Sequence, residues 1–344
     1  MSVLCAGIGA PHAGWVAIDE LARIMTRCFD AELLAPQTLP SSWVRKLTAR
    51  EKLGFSPVQS RGGDVLFVVA RGPEDLAIVN AVADARRKFS QIHAFVTDSY
   101  FRAGFVAETA LYDSITVTAH EDVAYPVEKF GIRVHQLYQG TDCLQWAPCK
   151  SLHREIDVMA FGRTPASYQA AMTERFHTMN SPYLYLHSPL GNLAGPTVER
   201  ERAMLFKLLH RTRFCLAFHL MVEPQGSRPR SMMVTSRWLE SLLSGCIVVG
   251  RRPISRMADE MLNWDNATLE LPESSQDAAD ALQLLLADND SQTEQRRLNI
   301  YNTMQQHDWR VRMGSLCALH GWQPPSVLKE ELEQLAQRRE AWRA

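Results

Sequence analysis

The sequence predicts an α/β protein built from two Rossmann-like, doubly wound domains. The chain of 344 residues is longer than one hydrophobic core usually serves. Apolar runs of strand length alternate with helical patterns in both halves, which is typical of parallel β-α units. The stretch Leu144–Arg154, which contains Pro148, interrupts this alternation. We therefore expect domains at 1–147 and 148–320, facing a cleft, and a terminal helix within 321–344.

Composition narrows the classes of partner. The formal net charge is −1 and the pI is near 6.8, which gives no general attraction to nucleic acid. No apolar run is long enough for a membrane span, and the basic run Trp43–Lys46 is too short to establish membrane contact. The seven dispersed cysteines suit reduced thiols, so we expect a cytoplasmic protein. Cys143 and Cys149 lack further ligands at zinc spacing.

In the first half, the elements follow one another as strand and helix. The apolar run 64–70 predicts a buried strand, and Pro73 with two acids opens the next helix. A strand then ends near Asp98, and a further strand, a helix at about 119–130 and a strand at 133–137 complete the first domain. The second half repeats the pattern with these segments: EIDVMAFGRT, a helix at about 167–178, YLYLHSP, ERERAMLFKLLHRTR, FCLAFHL, TSRWLESLLSGCIVVG, ATLELP and a helix at about 275–287.

Four of these segments, in their order, carry a resemblance to a known family. They are YDSITVTAHEDVAYPVEKFGIRVHQLYQGTD, EIDVMAFGR, TSRWLESLLSGCIVVG, and LNWDNATLELPESSQDAADALQLLLAD followed by HDWRVR. The chain resembles GT-B-fold glycosyltransferases with a Glyco_trans_1-like C-terminal domain, including the CgeB-type proteins. The resemblance implies an N-terminal domain that binds the acceptor, a C-terminal domain that binds a nucleotide sugar, and a last helix that packs back on the N-terminal domain. A solvated terminal helix is the simpler alternative.

The resemblance implies donor-binding roles for two residues of one predicted helix. Glu240 would accept hydrogen bonds from ribose hydroxyls, and Arg237, three residues earlier, would face the same cleft. The spacing places both side chains on one helix face, and a carboxylate can accept two hydroxyls. The alternative is an exposed Arg–Glu ion pair, worth under about 1 kcal/mol.

Further cations are candidates for binding the diphosphate. Arg163 follows a predicted strand through Gly162, and its guanidinium could fork onto phosphate oxygens. Arg228 and Arg230 precede the helix of Glu240 and could add charge beside the same phosphates. His187 lies in the YLYLHSP segment, at the end of the predicted strand, and could line the nucleotide pocket. For the arginines the alternative is a solvated loop.

The acceptor domain offers two candidates for a catalytic base. His12 lies in the loop that contains Gly7, Gly9 and Gly14, whose spacing does not match a dinucleotide fingerprint. Asp98 ends a strand, where a desolvated carboxylate could take the acceptor proton. A hydrogen-bonded loop histidine and a turn cap are the respective alternatives.

The sequence departs from the retaining members of this family at two positions. Met232 stands where they have a second glutamate, and Tyr168 stands where they have a lysine. Retaining or inverting stereochemistry therefore stays open.

We expect a metal-independent glycosyltransferase of hexosyl type, acting in polysaccharide or glycoconjugate biosynthesis, that moves a sugar from a nucleotide sugar to a glycan, lipid-linked or protein acceptor. No cofactor is expected, because the GT-B enzymes that the chain resembles generally work without a metal ion. A GT-B-fold nucleotide-sugar epimerase and a non-catalytic binding protein are the alternatives.

Overall fold

The computed structural model describes residues 1–6, 15–39, 54–150, 153–187, 198–219, 222, 231–288 and 292–343. These residues form two compact units. Unit 1 contains the described residues of Met1–Gln139 and Trp309–Leu332 together with Ser231. Unit 2 contains those of Gly140–Arg228, Met232–Asp308 and Glu333–Ala344.

Each unit is organised around a parallel sheet. The strands of the described residues are β1 Ser2–Cys5, β2 Glu32–Leu34, β3 Thr38–Leu39, β4 Gly54–Phe55, β5 Gly63–Ala70, β6 Phe89–Val96, β7 Ser114–Val117, β8 Arg133–Gln136, β9 Ile156–Ala160, β10 Tyr185–His187, β11 Thr212–Phe218, β12 Ile247–Arg251 and β13 Leu269–Glu270. The sheet of unit 1 has the order β2-β1-β5-β6-β7-β8, and that of unit 2 has the order β10-β9-β11-β12-β13. All pairs within these two sheets are parallel, and β3 and β4 form a separate antiparallel pair.

Helices join many of the successive strands, and further helices follow β13. They are α1 Val16–Cys28, α2 Ala85–Lys88, α3 Ala124–Phe130, α4 Cys143–Trp146, α5 Ala166–Phe176, α6 Val198–Leu209, α7 Ser236–Leu243, α8 Arg256–Met261, α9 Ser275–Ala287, α10 Gln292–Gln306, α11 Trp309–His320 and α12 Ser326–Glu340. The described residues of unit 1 also form four 3₁₀ helices, Pro73–Ala81, Arg102–Gly104, Ala107–Leu111 and His120–Asp122.

The strand β5 shows why continuous apolar runs form the centre of these sheets. Successive side chains of a strand point to opposite faces, so both faces need apolar cover. Leu66 and Val68 pack in one buried cluster together with Leu76, whereas Phe67 and Val69 pack in another that includes residues of α1 and α11. The predicted α/β fold class with two doubly wound sheets is confirmed.

The structure differs from the sequence-based expectation in two regions. The helix predicted to begin at Pro73 is a 3₁₀ helix as far as Ala81, and α2 follows it as a separate short helix. Residues 309–320, which we assigned to the second domain, form α11 and belong to unit 1, where α11 packs on α1. Strand and helix patterns give the type of an element but not the sheet on which it packs.

The His-Asp-Trp segment that contributed to the resemblance is buried and structural. In unit 2, the Asp308 carboxylate accepts from the Cys143 N–H at 2.8 Å, and His307 Nε2 lies 2.7 Å from the Met261 carbonyl. In unit 1, the Trp309 indole donates to the Ala17 carbonyl at 3.0 Å. Adjacent residues of this segment therefore stabilise different units.

The start of α12 is held to unit 1 by a charged cluster. Glu331 accepts from Arg27 at 2.8 Å and also from Arg310, which is almost fully buried. Partial burial alone would raise the pKa of Glu331, but these two guanidinium groups lower it to about 2. Residues Ser326–Leu332 of α12 belong to unit 1 and the remainder to unit 2.

Three histidines, His93 of β6, His135 of β8 and His320 of α11, gather in unit 1. The ring centroids of His93 and His320 are 4.1 Å apart, those of His135 and His320 are 5.5 Å apart, and Trp322 stacks on His320. Burial lowers the pKa of His93 to about 4, and it lowers the pKa of His320 as well, to about 3. Asp113 opposes this shift at His93, whereas Arg133 lowers the pKa of both groups.

We predict that these histidines make unit 1 sensitive to mild acid. The pKa of a histidine in the unfolded chain is about 6.5. Above this pH, His93 and His320 are neutral in both the folded and the unfolded chain, and the free energy of unfolding has its full value. As the pH falls from about 6.5 towards 4, the unfolded chain binds protons that the folded chain cannot, so the free energy of unfolding decreases. For His93 the loss at pH 5 is about 2 kcal/mol. Thermal unfolding between pH 7 and pH 5 measures it.

The double substitution His93→Gln/His320→Gln should flatten this pH dependence. Replacement of the exposed His153 by Gln is the matched control and should leave the dependence unchanged. An unaltered slope in the double variant would contradict the prediction.

Candidate functional site

The most favourable ligand crevice within unit 2 lies at the carboxyl ends of β9 and β11. The strand order reverses between these neighbours, because β10 lies on one side of β9 and β11 on the other. In open parallel sheets, ligands bind outside the carboxyl ends of strands at such a switch point. The segment Phe161-Gly162-Arg163 follows β9 directly and therefore borders this crevice.

The absence of a side chain at Gly162 leaves room for the Arg237 guanidinium. Gly162 has a φ of +66°, and a Cβ atom at this position would lie 2.8 Å from Arg237 Nη2. The Arg237 guanidinium lies 5.8 Å from the centre of the Phe161 ring and donates a hydrogen bond to the Arg163 carbonyl. Arg237 thus fixes the backbone of the loop, while the Arg163 side chain is exposed.

The charge of Arg237 is buried at this position. Burial lowers the pKa of Arg237 to about 10, and the nearby Arg163 charge acts in the same direction. Glu240 acts in the opposite direction. Arg237 remains a cation at neutral pH, so two positive charges stand at the carboxyl end of β9.

Glu240 is also buried, and its partner is a residue that the sequence analysis did not identify. Arg202 Nη1, from α6, donates to Glu240 Oε1 at 2.7 Å, and the two side chains are only 6% and 4% exposed. The guanidinium of Arg202 lies 5.6 Å from the centre of the Trp146 ring and 5.2 Å from that of Phe206. The alternative of an exposed Arg237–Glu240 ion pair is therefore wrong.

A signal for Arg202 was present in the sequence. Leu205, Phe206 and Leu209 form the buried stripe of α6, and Arg202 stands on that stripe three, four and seven residues earlier. A cation on the apolar face of a helix needs a buried partner. The acid on the neighbouring helix α7 supplies it.

Met232 and Tyr168, the two positions that differ from the retaining glycosyltransferases, supply no charged side chain. Tyr168 is buried, and its hydroxyl donates to the carbonyls of Pro272 and Glu273 at 2.7 and 3.0 Å. Met232 is half-buried. His187 ends β10, where its Nδ1 lies 3.2 Å from Gln169 Nε2. Its ring stacks on His177.

In unit 1, the predicted base Asp98 lies in the turn after β6. Its N–H donates to the Arg71 carbonyl at 2.7 Å, and its side chain is half-buried. The next residue, Ser99, donates to the fully buried Asp122 at 2.8 Å. Burial raises the pKa of Asp122, although hydrogen bonds from Ser99, Arg102 and Ser231 oppose the shift. Asp122 was not identified from the sequence.

A second ion pair lies at the switch point of the unit 1 sheet, between β1 and β5. Arg71 follows β5 and donates to Asp19 of α1 at 3.1 Å, and its guanidinium lies 5.8 Å from the Trp15 ring centre. Burial raises the pKa of Asp19, and the Arg71 charge partly opposes the increase. This pair places charge at the edge where a doubly wound sheet binds ligands.

Several predicted site residues lie outside the described residues. They are Gly7, Gly9, His12, Gly14, Arg228 and Arg230. Their assigned roles stay predictions.

The described residues offer neither a metal site nor a membrane span. In that part of the chain, no group of three or more His, Cys, Asp or Glu side chains could hold a metal ion. Helices long and apolar enough to cross a membrane are likewise absent from it. All seven cysteines are free, and Cys149 is exposed whereas the others are buried.

We predict that the Arg202→Met substitution is strongly destabilising. It would leave the Glu240 carboxylate buried without its cation, which costs about 3–5 kcal/mol. Urea unfolding measures the change. The matched control Arg211→Met, at an exposed arginine 4.0 Å from Glu155, should change stability by less than about 1 kcal/mol. The Arg202→Met/Glu240→Gln double variant should recover part of the loss. Equal stabilities of wild type and Arg202→Met would refute the buried pair.

We also predict that Gly162→Ala disturbs Arg237. The left-handed backbone alone costs an alanine about 1 kcal/mol. The close approach of the new Cβ to the guanidinium adds to that cost. Gly131 is a matched control, because its φ is also +66° and a Cβ there would have nothing within 4 Å. The free energy of unfolding should fall more for Gly162→Ala than for Gly131→Ala. Equal losses would show that Arg237 does not constrain the loop.

Comparisons with known proteins identify similar sequences and similar folds. Residues 184–318 match a family described as glycosyl transferase-like. The structure is similar to that of HepE from Anabaena in complex with UDP-glucose, with 13% identity, a TM-score of 0.55 and coverage of 93% of this chain and 99% of HepE.

A second similar structure is AviGT4, a glycosyltransferase involved in avilamycin A biosynthesis. The identity is 12%, the TM-score is 0.51, and the match covers 99% of this chain and 98% of AviGT4. No curated protein gives a significant match to the sequence. The fold is thus that of the GT-B glycosyltransferases, and residues 184–318 match the glycosyl transferase-like family.

Proposed function

We propose that the protein is a glycosyltransferase that binds the nucleotide diphosphate of its sugar donor at the carboxyl edge of the unit 2 sheet. The observation that carries this proposal is the loop after β9, whose backbone accepts a hydrogen bond from Arg237. Arg237 holds the backbone of Gly162 and Arg163, and the exposed Arg163 side chain borders the switch-point crevice. The glycosyl transferase-like match of residues 184–318 includes α7 and agrees with this assignment.

The start of α7 supports an anion site beside this loop. In a parallel β-α unit the helix runs antiparallel to its strands, so α7 begins at the carboxyl edge. Its N-cap residue, Thr235, makes no side-chain capping hydrogen bond. The first N–H groups of a helix are suited to bind phosphate, and the helix dipole favours negative charge there.

We assign Glu240 to the ribose of the donor. Arg202 binds Oε1, which leaves Oε2 as the oxygen that can accept from ligand hydroxyls. The Arg202 guanidinium fixes the position of this buried side chain, so Oε2 is held in place as an acceptor.

Sugar transfer requires stabilisation of the nucleoside diphosphate as it departs. Preorganised positive groups in a site that excludes water provide such stabilisation. In our proposal, Arg163 and the N-terminus of α7 act on the leaving phosphates, and no metal ion is required. Arg237 acts indirectly, because its guanidinium is bound to the loop backbone. His12 and Asp98 stay candidates for a base that takes the acceptor proton.

The test is calorimetric titration of the full chain with UDP, GDP, ADP, TDP and CMP. The UDP-glucose complex of HepE makes UDP the first nucleotide to examine. We expect micromolar binding of one nucleotide and at least a tenfold weaker affinity in Arg163→Gln, equivalent to about 1.4 kcal/mol. Arg163 is exposed, so this substitution should not disturb folding.

Arg175→Gln is the control for the loss of one positive charge. Arg175 lies on α5 of the same unit and pairs with Asp280, which involves no residue of the proposed site. The control should bind the nucleotide as the wild type does. Absence of binding for all five nucleotides, or equal affinities of Arg163→Gln and wild type, would refute the proposed donor site.

A further inference from the structure

Unit 2 contains a basic cavity of about 580 Å³ that the proposed donor site does not use. The basic side chains that line it are Lys150, His153, Arg154, Arg213, Arg296 and Arg297. The described lining residues all belong to unit 2, and none of them carries a carboxylate side chain. Pockets of this volume accommodate small-molecule ligands.

The cavity lies at the edge of the sheet opposite to the donor site. Arg154 precedes β9, and Arg213 is near the start of the parallel strand β11, so both mark the amino ends of the strands. Arg163 follows the carboxyl end of β9. Five strand residues separate the two edges by about 16 Å. One diphosphate cannot occupy both places.

The cations of the cavity are only partly neutralised by the protein. Arg213 pairs with Asp157 at 2.7 Å. Arg154 instead donates to backbone carbonyls, including that of Ser244 at 2.8 Å. Lys150 has no ion pair within the described part of the chain, and Arg297 donates to the Arg343 carbonyl.

Arg296 shows this deficit of negative charge most clearly. Its Nε atom is buried and has no hydrogen-bond partner among the described residues, and Nη2 donates only to the Gln292 side chain. Burial lowers the pKa of Arg296 to about 10, and the charges of Arg154 and Arg213 act in the same direction. Like charges that converge on one cavity repel one another unless an anion lies between them.

We propose that this cavity is a second anion site, which binds a small soluble ligand carrying two or more negative charges on phosphate groups. Guanidinium groups fork onto phosphate oxygens, and several cations around one cavity favour a diphosphate over a monovalent anion. The diphosphate of a nucleotide and a phosphorylated metabolite share this chemistry. The exposed Lys150 stands at the cavity wall and adds charge there.

The test is titration of inorganic pyrophosphate into the full chain carrying the Arg163→Gln substitution. This substitution removes the exposed cation of the proposed donor site. We expect saturable binding in this background. Addition of Arg296→Gln and Arg297→Gln should weaken it at least tenfold, and raising the salt concentration should weaken it further. The milder Lys150→Gln substitution should weaken it about threefold, equivalent to about 0.7 kcal/mol, and it replaces an exposed side chain that the fold does not need.

A charge-matched control replaces Arg252 and Arg256 by Gln. These residues lie at and after the carboxyl end of β12 and do not line the cavity. The control should bind pyrophosphate as the background does. The proposal would be overturned by no saturable binding in the Arg163→Gln background. Equal weakening by the cavity and control substitutions would also overturn it, because it would indicate only a general charge effect.

A comparison between UDP and pyrophosphate in the same background distinguishes the two sources of the ligand. Competition of UDP with pyrophosphate, lost on Arg296→Gln/Arg297→Gln, would identify a nucleotide diphosphate as a ligand of the cavity. Pyrophosphate binding without competition would identify a phosphorylated metabolite without a nucleoside. Either result supports the anion site.

Discussion

The hydrogen bond from Arg237 to the Arg163 carbonyl is the contact on which the arrangement of the proposed donor site depends. It joins the loop after β9 to the helix α7, and it forms only because Gly162 leaves room for the guanidinium. A side chain at residue 162 would meet both the left-handed backbone and Arg237. Gly162 and Arg237 therefore act together to hold Arg163 at the crevice.

The charge of the second unit is divided between the two edges of its sheet. At the carboxyl edge, buried Glu240 and Arg202 form a pair, and Arg163 is exposed. At the amino edge, several cations line one cavity, and no acid is among its described lining residues. A nearly neutral net charge conceals this division, since the overall balance says nothing about local fields.

The sequence predicted the fold class and much of the order of elements, because apolar runs such as that of β5 are needed wherever helices cover both faces of a sheet. The 3₁₀ helix at Pro73–Ala81 was not distinguished from an α-helix, since the proline and acids that open it favour either form. The placement of α11 in unit 1 depends on packing partners distant in sequence, such as Ala17 for Trp309. No local pattern gives that information.

The site was also predicted only in part, because some of its contacts join residues that are distant in the sequence. Arg163, Arg237 and Glu240 were chosen from spacing and from the resemblance, and the structure places them on α7 and in the loop after β9. Arg202 could have been predicted from its position on an apolar helix face. Asp122 could not, because its partners Ser99 and Ser231 come from separate parts of the chain. The basic cavity likewise combines the start of β9 with α10 and the end of the chain.

The most direct test of the account is a crystal structure of the full chain with UDP. We expect the diphosphate at the carboxyl ends of β9 and β11, with its phosphate oxygens within hydrogen-bond distance of the Arg163 guanidinium. The ribose hydroxyls should lie within hydrogen-bond distance of Glu240. UDP bound in the absence of contacts to either residue would contradict the assignment of the donor site.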